Sequence, residues 1–302
     1  MDNTQQGIVT ATRGRLFDVS CVDGQHLKCE VRQKVKDEIK AITPVAVGDD
    51  VLVCQTEEER GIIEQVLPRR TQFARPSTGD DKILQVIAAN LDQLAIVVSL
   101  KSPALKPGLI DRFIIAALMG KMNPIIIINK SDLKTPRDFD EIVKTYKDLS
   151  YPVFITSAEE EIGLNELSNQ LSNHRTLFAG HSGVGKSSLL NKLIPGLDIK
   201  TKQISHASNK GQHTTTSIEL FEIPSGGYLI DSPGLKVMGL WDIDKQNLAD
   251  YYIEFAEFQD ICRFSSCSHS HEPDCAIKEA VENGSISRIR YENYLAIADS
   301  LT

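Results

Sequence analysis

Between Gly7 and Val66 apolar and polar residues alternate in short runs: Phe17, Val19 and Cys21, then Leu27, Cys29 and Val31 after an Asp23-Gly24 pair. Period-two alternation marks a strand with one buried face, and Asp-Gly is a preferred hairpin turn. Strand patterns at Val51-Leu52-Val53 and Ile62-Ile63 extend the series to about five strands with a Lys/Arg-bearing loop between them, which predicts a small β-barrel of the oligonucleotide-binding (OB) type.

From Thr71 to Met238 the pattern changes. Unbroken apolar runs, Ala95-Ile96-Val97-Val98 and Ile125 to Ile128, alternate with helical stretches, as strands of a parallel sheet covered on both faces require. Leu109, Ile110, Phe113, Ile114, Ala117 and Leu118 recur at helical spacing between Pro107-Gly108 and Asn123-Pro124. The result is a β-α-β unit whose second strand ends at Asn129, where open α/β sheets bind ligands. Beyond Gly239 the pattern is helical apart from a cysteine-rich interruption, and an amphipathic stretch from Ile286 to Ile297 closes the chain. Three domains are expected: a barrel over 1–68, an α/β domain over 69–238 and a helical domain over 239–302.

Charge divides the chain in the same way. The net charge of −8 is distributed as −2 over residues 1–70, +1 over 71–238 and −7 over 239–302. An acidic last domain is a poor general phosphate binder, so nucleic-acid contact needs local basic groups such as Arg13, Arg15, Arg32, Lys34 and Lys36. The N-terminal residues carry no basic segment leading into an apolar stretch, and no apolar run is long enough for a membrane span, so neither export nor membrane association is expected. Cys21, Cys29 and Cys54 fall in strand patterns and are expected to behave as small apolar residues in a reducing cytoplasm.

Gly180-His181-Ser182-Gly183-Val184-Gly185-Lys186-Ser187, followed by Ser188, stands between apolar Leu177-Phe178-Ala179 and helical Leu189-Leu190-Asn191-Lys192-Leu193. This is the strand-loop-helix setting of a phosphate-binding loop. Its glycines let backbone N–H groups face phosphate oxygens, Lys186 neutralises the β- and γ-phosphates, and Ser187 ligates Mg²⁺. Asp231-Ser232-Pro233-Gly234 follows the strand pattern Tyr228-Leu229-Ile230, which suits Asp231 to the magnesium shell and the Gly234 N–H to the γ-phosphate. Asn129-Lys130-Ser131-Asp132 supplies base selectivity. The Asp132 carboxylate accepts from N1–H and the exocyclic amine of guanine, Asn129 and Lys130 brace the pocket, and Ser157-Ala158 matches the loop whose backbone N–H meets guanine O6.

The base motif precedes the phosphate loop, the reverse of the order in ordinary GTP-binding proteins, and this identifies a circularly permuted GTPase. Permutation moves the chain ends and leaves the site in place. Lys210-Gly211-Gln212-His213-Thr214-Thr215-Thr216 occupies the first switch, where one of the three threonines, Thr215 by choice, reaches Mg²⁺ in the GTP state. Leu235 stands where Ras has a water-orienting glutamine, which leaves His213 as the nearest candidate to position or deprotonate the attacking water.

Cys262, Cys267 and Cys275, with His269 or His271, offer three thiolates and an imidazole, a closed tetrahedral set suited to one structural Zn²⁺. The permuted motifs, the switch from Gly211 to Thr216, the barrel and the C-x4-C-x-H-x5-C spacing together resemble the ribosome small subunit-dependent GTPase family over essentially the whole chain. That spacing selects His269 over His271. The resemblance implies a cytoplasmic monomer that turns over GTP to GDP under stimulation by the 30S subunit. It also implies a role in late maturation of that subunit, and contacts with 16S rRNA through the barrel and the zinc domain.

Overall fold

The computed structural model describes residues 4–38, 43–77, 80–199, 218–231, 240 and 243–301. Its N-terminal strands are β1 (Thr4–Arg13), β2 (Leu16–Cys21), β3 (His26–Val31), β4 (Asp50–Glu57) and β5 (Arg60–Val66), with helix α1 (Gln33–Glu38) between β3 and β4. They close in the order β1-β2-β3-β5-β4, because β1 pairs with β2 along one edge and with β4 along the other. Gly7 sits where β1 serves both neighbours; a Cβ there would lie 2.6 Å from Val19 Cγ1. Val9, Val19, Leu27, Cys29, Val51, Val53 and Ile63 fill the interior, and burial pushes the Cys29 thiol up to about 12.

Part of the basic loop expected between strands is α1, because Val35 turns into the barrel core. The basic groups are also less available than the sequence suggests. Arg13 contacts Asp18 (2.7 Å) and Glu219 (3.5 Å), and Arg32 pairs with Glu64 at 2.8 Å.

A two-stranded ribbon, β6 (Gln72–Ser77) and β7 (Asp80–Ala89), precedes the α/β unit. Strands β8 (Gln93–Ser99), β9 (Asn123–Asn129), β10 (Val153–Ile155), β11 (His174–Ala179), β12 (Glu219–Glu222) and β13 (Gly227–Asp231) follow, in the spatial order β10-β9-β8-β11-β13-β12. All pair in parallel except β12 with β13. Alternate side chains face two cores. Ile96, Val98, Ile126 and Ile128 pack toward α2 (Pro107–Met119) and α3 (Phe139–Asp148). Ala95, Val97, Ile125 and Ile127 pack toward α4 (Leu164–Leu171) and α5 (Lys186–Leu193). Burial on both faces explains the unbroken apolar runs of these strands, over 94–98 and 125–128.

The barrel joins the edge of this sheet through one β1–β12 pairing, Ala11 with Glu219. Beneath it lies a polar seam: Arg69 grips buried Asp49 with Nε and Nη2 at 2.7 and 2.8 Å, and Arg175 reaches Asp50 at 3.2 Å.

The C-terminal region runs through short 3-10 turns, Leu248–Tyr251, Ile253–Phe255 and Gln259–Ile261, into α6 (Ala276–Glu282) and α7 (Arg288–Ser300). It packs on α2, whose Ile115 enters its core. Arg290, 1% exposed, reaches Asp111 of α2 at 2.5 Å and Glu254 at 2.7 Å, while Asn293 donates to the second Asp111 oxygen. Burial opposes the charge of Arg290, but the two carboxylates hold its pKa well above the ordinary arginine value. No described helix is long and apolar enough to cross a membrane.

Candidate functional site

Strand β11 ends at Ala179, and the chain turns through Gly180 to Gly185 before α5 begins at Lys186. Gly180 has φ +147°, and a Cβ there would lie 2.1 Å from the Val97 carbonyl, so only glycine lets the loop leave the sheet this way. His181, Ser182 and Gly183 are exposed at the tip, while Ser187 and Ser188 are half-buried at the start of α5. Lys186 folds beneath the loop and donates to the carbonyls of Gly180 (2.8 Å) and His181 (3.3 Å). Burial lowers its pKa and Asp231, at the end of β13, opposes the shift. A cation held in this way gains from any anion that enters the loop.

The base-motif residues approach from β9. Asn129 is 1% exposed and joins three loops: its Nδ2 donates to Val184 O (3.0 Å), and its Oδ1 accepts from Ala158 N (3.2 Å) and Thr156 Oγ1 (3.3 Å). A Cβ on Gly185 would fall 2.2 Å from Asn129 Nδ2, which gives this glycine a second reason besides its φ of +97°. Lys130, at φ +62°, extends over the phosphate loop and donates to Gly183 O (2.6 Å) and Ser102 O (2.7 Å). Burial lowers its pKa against the pull of Asp132. Ser131 N–H donates to Thr156 O at 3.0 Å, and the Ser157 hydroxyl donates to the exposed Asp132 carboxylate.

The fold therefore gathers 129–132, 156–158, 180–188 and Asp231 at the C-terminal ends of β9, β10, β11 and β13. His213, Thr215 and Gly234, with Leu235 and the rest of the first switch, lie outside the described residues. Sequence reading missed Ser102, Thr156 and the carbonyls of Gly183 and Val184. Three of these contacts are made by main-chain oxygens, which every residue type carries, so no motif announces them.

A second cluster stands in the C-terminal region. One donor atom each from Cys262, Cys267, His269 and Cys275 lies within 4.8 Å of all the others. His269 Nδ1 is 3.6 Å from Cys262 Sγ and 3.5 Å from Cys275 Sγ, and the two sulfurs are 3.9 Å apart. Metal bonds of about 2.3 Å to sulfur and about 2.0 Å to nitrogen set tetrahedral edges of about 3.8 Å and about 3.5 Å, so the donor set fits one ion. Burial pushes the Cys267 thiol up to about 12, and a bound cation would reverse that direction. Backbone N–H groups already favour the thiolates, from His269 toward Cys267 and from Lys278 and Ile277 toward Cys275. Glu272 accepts from Ser268 N, Ser268 Oγ and Ser270 N, while Tyr291 and Tyr294 donate to the carbonyls of His269 and Ser268. His271 points away, 85% exposed.

Residues 66–241 match the family model described as RsgA GTPase. Chlorobaculum tepidum has a protein named small ribosomal subunit biogenesis GTPase RsgA that is 39% identical, over 100% of this chain and 99% of its own length. A Bacteroides thetaiotaomicron protein, small ribosomal subunit biogenesis GTPase RsgA 2, is 36% identical over 96% of this chain and 95% of itself. Among solved structures, YjeQ from Thermotoga maritima superposes with a TM-score of 0.80 at 34% identity, covering 99% of this chain and 98% of that one. YloQ, described as a circularly permuted GTPase, gives 0.74 at 27% identity over 99% and 95%. The family model covers more than half of the chain and the relatives match it along essentially its whole length, so the chain belongs to the RsgA family of GTPases.

Proposed function

We propose that this GTPase binds the small (30S) ribosomal subunit and acts late in its maturation, with GTP hydrolysis stimulated by that subunit. The carrying observation is that one buried amide, Asn129, ties the base motif to both the phosphate loop and the Ser157-Ala158 loop, so a site for a guanine nucleotide stands ready before a partner arrives. The partner follows from the names of relatives that match the chain along its whole length.

In this reading Asp132 selects guanine, with Ser131 and Ser157-Ala158 around the base. The loop from Gly180 to Ser188 holds the phosphates, with Lys186 opposite the β- and γ-phosphates. Ser187 and Thr215 hold Mg²⁺, with Asp231 behind them, and Gly234 meets the γ-phosphate. Mg²⁺ spreads the charge that develops on the transferred phosphoryl group. His213 orients the attacking water or takes its proton, a task Leu235 cannot perform. Cys262, Cys267, His269 and Cys275 hold one structural Zn²⁺. The barrel contacts 16S rRNA, the chain works in the cytoplasm as a monomer, and the domains divide at 68/69 and 238/239.

GTP turnover measured alone, with small subunits and with large subunits tests activity and partner together. Slow intrinsic turnover and large stimulation by small subunits alone are expected, and equal stimulation by large subunits refutes the assignment. His213→Ala should keep GTP binding and subunit association yet lose most stimulated hydrolysis, because the group acts only in the transition state. Full stimulation of that variant excludes His213.

A further inference from the structure

Each carbonyl of the phosphate loop from Gly180 to Gly185 accepts a hydrogen bond. Lys186 Nζ holds those of Gly180 (2.8 Å) and His181 (3.3 Å), Lys130 Nζ that of Gly183 (2.6 Å) and Asn129 Nδ2 that of Val184 (3.0 Å). Leu189 N–H reaches Gly185 O at 3.0 Å as α5 begins. The remaining carbonyl, on Ser182, is held by the His181 ring, whose Nδ1 lies 3.3 Å from the oxygen. The other side-chain ties come from residues that the phosphate and base motifs specify, whereas position 181 is one of the four unspecified places in Gly180-x4-Gly185-Lys186-Ser187.

The direction of each carbonyl matters because a trans peptide is planar, with its C=O and N–H on opposite sides. A bond that fixes Ser182 O therefore also aims the N–H of Gly183. A carbonyl can only accept, so His181 Nδ1 carries the proton in this contact. The ring is exposed, and it turns Ser182 O outward toward itself and the Gly183 N–H away from that side. Gly183, at φ +87°, has no side chain with which to settle the orientation. We propose that His181 is a positioning residue for GTP hydrolysis: it holds the Ser182–Gly183 peptide with its carbonyl away from the phosphates and its N–H toward the charge that develops on their oxygens. An N–H aimed beforehand stabilises that charge without reorganising during the reaction. This role rests on the phosphate-loop reading above and adds to it a residue that the motif leaves open.

Three substitutions in the full chain separate the donor from the rest of the ring. His181→Asn places an amide nitrogen where Nδ1 stands, His181→Gln places one nearer the position of Nε2, and His181→Ala removes both. Because the ring is exposed, none of them opens a core. Turnover of GTP without subunits is measured beside GTP and GDP affinity on the same preparations. His181→Ala and His181→Gln should lower kcat about tenfold, less than the loss of a whole transition-state donor, with GDP affinity unchanged, and His181→Asn should recover most of the rate. Wild-type turnover in His181→Ala overturns the proposal, as does a raised KM with kcat unchanged, since an effect on the transition state must appear in kcat. His181→Asn as slow as His181→Ala means that the ring acts by its bulk, and also overturns it. Lys186→Ala in the same assay tests the underlying reading. If it turns over GTP normally, the loop does not hold the phosphates and both readings fall, whereas inactive Lys186→Ala beside unimpaired His181→Ala refutes the positioning role alone.

Discussion

The loop cluster at the C-terminal ends of the parallel strands and the cysteine–histidine cluster both gather polar atoms around a space suited to a charged guest, but they are built in opposite ways. The first draws its residues from four strand ends spread from Asn129 to Asp231 and holds them through cross-loop bonds such as Asn129 to Val184 and Lys130 to Gly183. The second lies within one stretch, Cys262 to Cys275, fixed by its own backbone N–H groups and by α7. A site made of distant strand ends is as stable as the sheet that carries it. A site made of one loop would gain most from a bound cation, because burial alone opposes the thiolate charges.

The strongest test of this difference is to empty each site in turn. Cys267→Ser should abolish stoichiometric metal and loosen the C-terminal region, while GDP binding survives because the nucleotide loops lean on the sheet instead. Elemental analysis and nucleotide titration of one preparation check both halves. If GDP binding is lost with the metal, the two sites are not independent. Lys186→Ala should cut turnover at least about 100-fold, in line with removal of one charged transition-state donor, and leave metal content untouched. Near-normal hydrolysis would overturn the phosphate-loop assignment.

A finer contrast lies within the nucleotide site. Asn129→Ala removes a buried amide with three partners and leaves Ala158 N–H and Val184 C=O unsatisfied, at about 1–3 kcal/mol for each group left unpaired. It should weaken GTP, GDP and xanthosine nucleotides alike and lower the unfolding midpoint. Asp132 is exposed, and among the described residues its hydrogen bond is with the Ser157 hydroxyl, so Asp132→Asn should leave stability almost unchanged and shift preference toward xanthosine triphosphate. Equal effects of the two substitutions on stability would mean that the brace is not Asn129.

The same division governs what could be read from the chain. The barrel strands and the helix after Pro107 follow from a local period and the doubly buried strands β8 and β9 from unbroken apolar runs, and the observed α2 begins at that proline. The β1–β12 seam, the β6–β7 ribbon and the Arg290–Asp111 contact between α7 and α2 had no such signal. Arg290 looks like any surface arginine of an amphipathic helix until residues far away in sequence close over it. The 3-10 turns from Leu248 were equally silent, since their period of three differs little from the helical one over a few residues. In both clusters the motif side chains could be picked out, whereas the carbonyls and amides that orient them could not.

Glu272 carries the smallest expected effect. Burial alone would raise its pKa, but the N–H groups of Ser268 and Ser270 and the Ser268 hydroxyl hold it at about 2. The carboxylate shapes the turn on which His269 stands at φ +57°, so it orients one donor of the cluster without belonging to the cluster. Glu272→Gln keeps an acceptor and loses the charge, at a cost of about 1–2 kcal/mol. Because the folded pKa is depressed, the stabilisation is complete above the unfolded value of about 4.3 and fades as pH falls toward about 2. Denaturant unfolding of both proteins should therefore show a stability gap that is constant from pH 8 to about 5 and narrows below about 4.3. Protonation of the metal ligands acts on both chains and cancels in the difference. A gap that widens in acid, or metal affinity identical in the two proteins at neutral pH, would mean that Glu272 shapes only the surface of the loop and that backbone and α7 contacts alone orient His269.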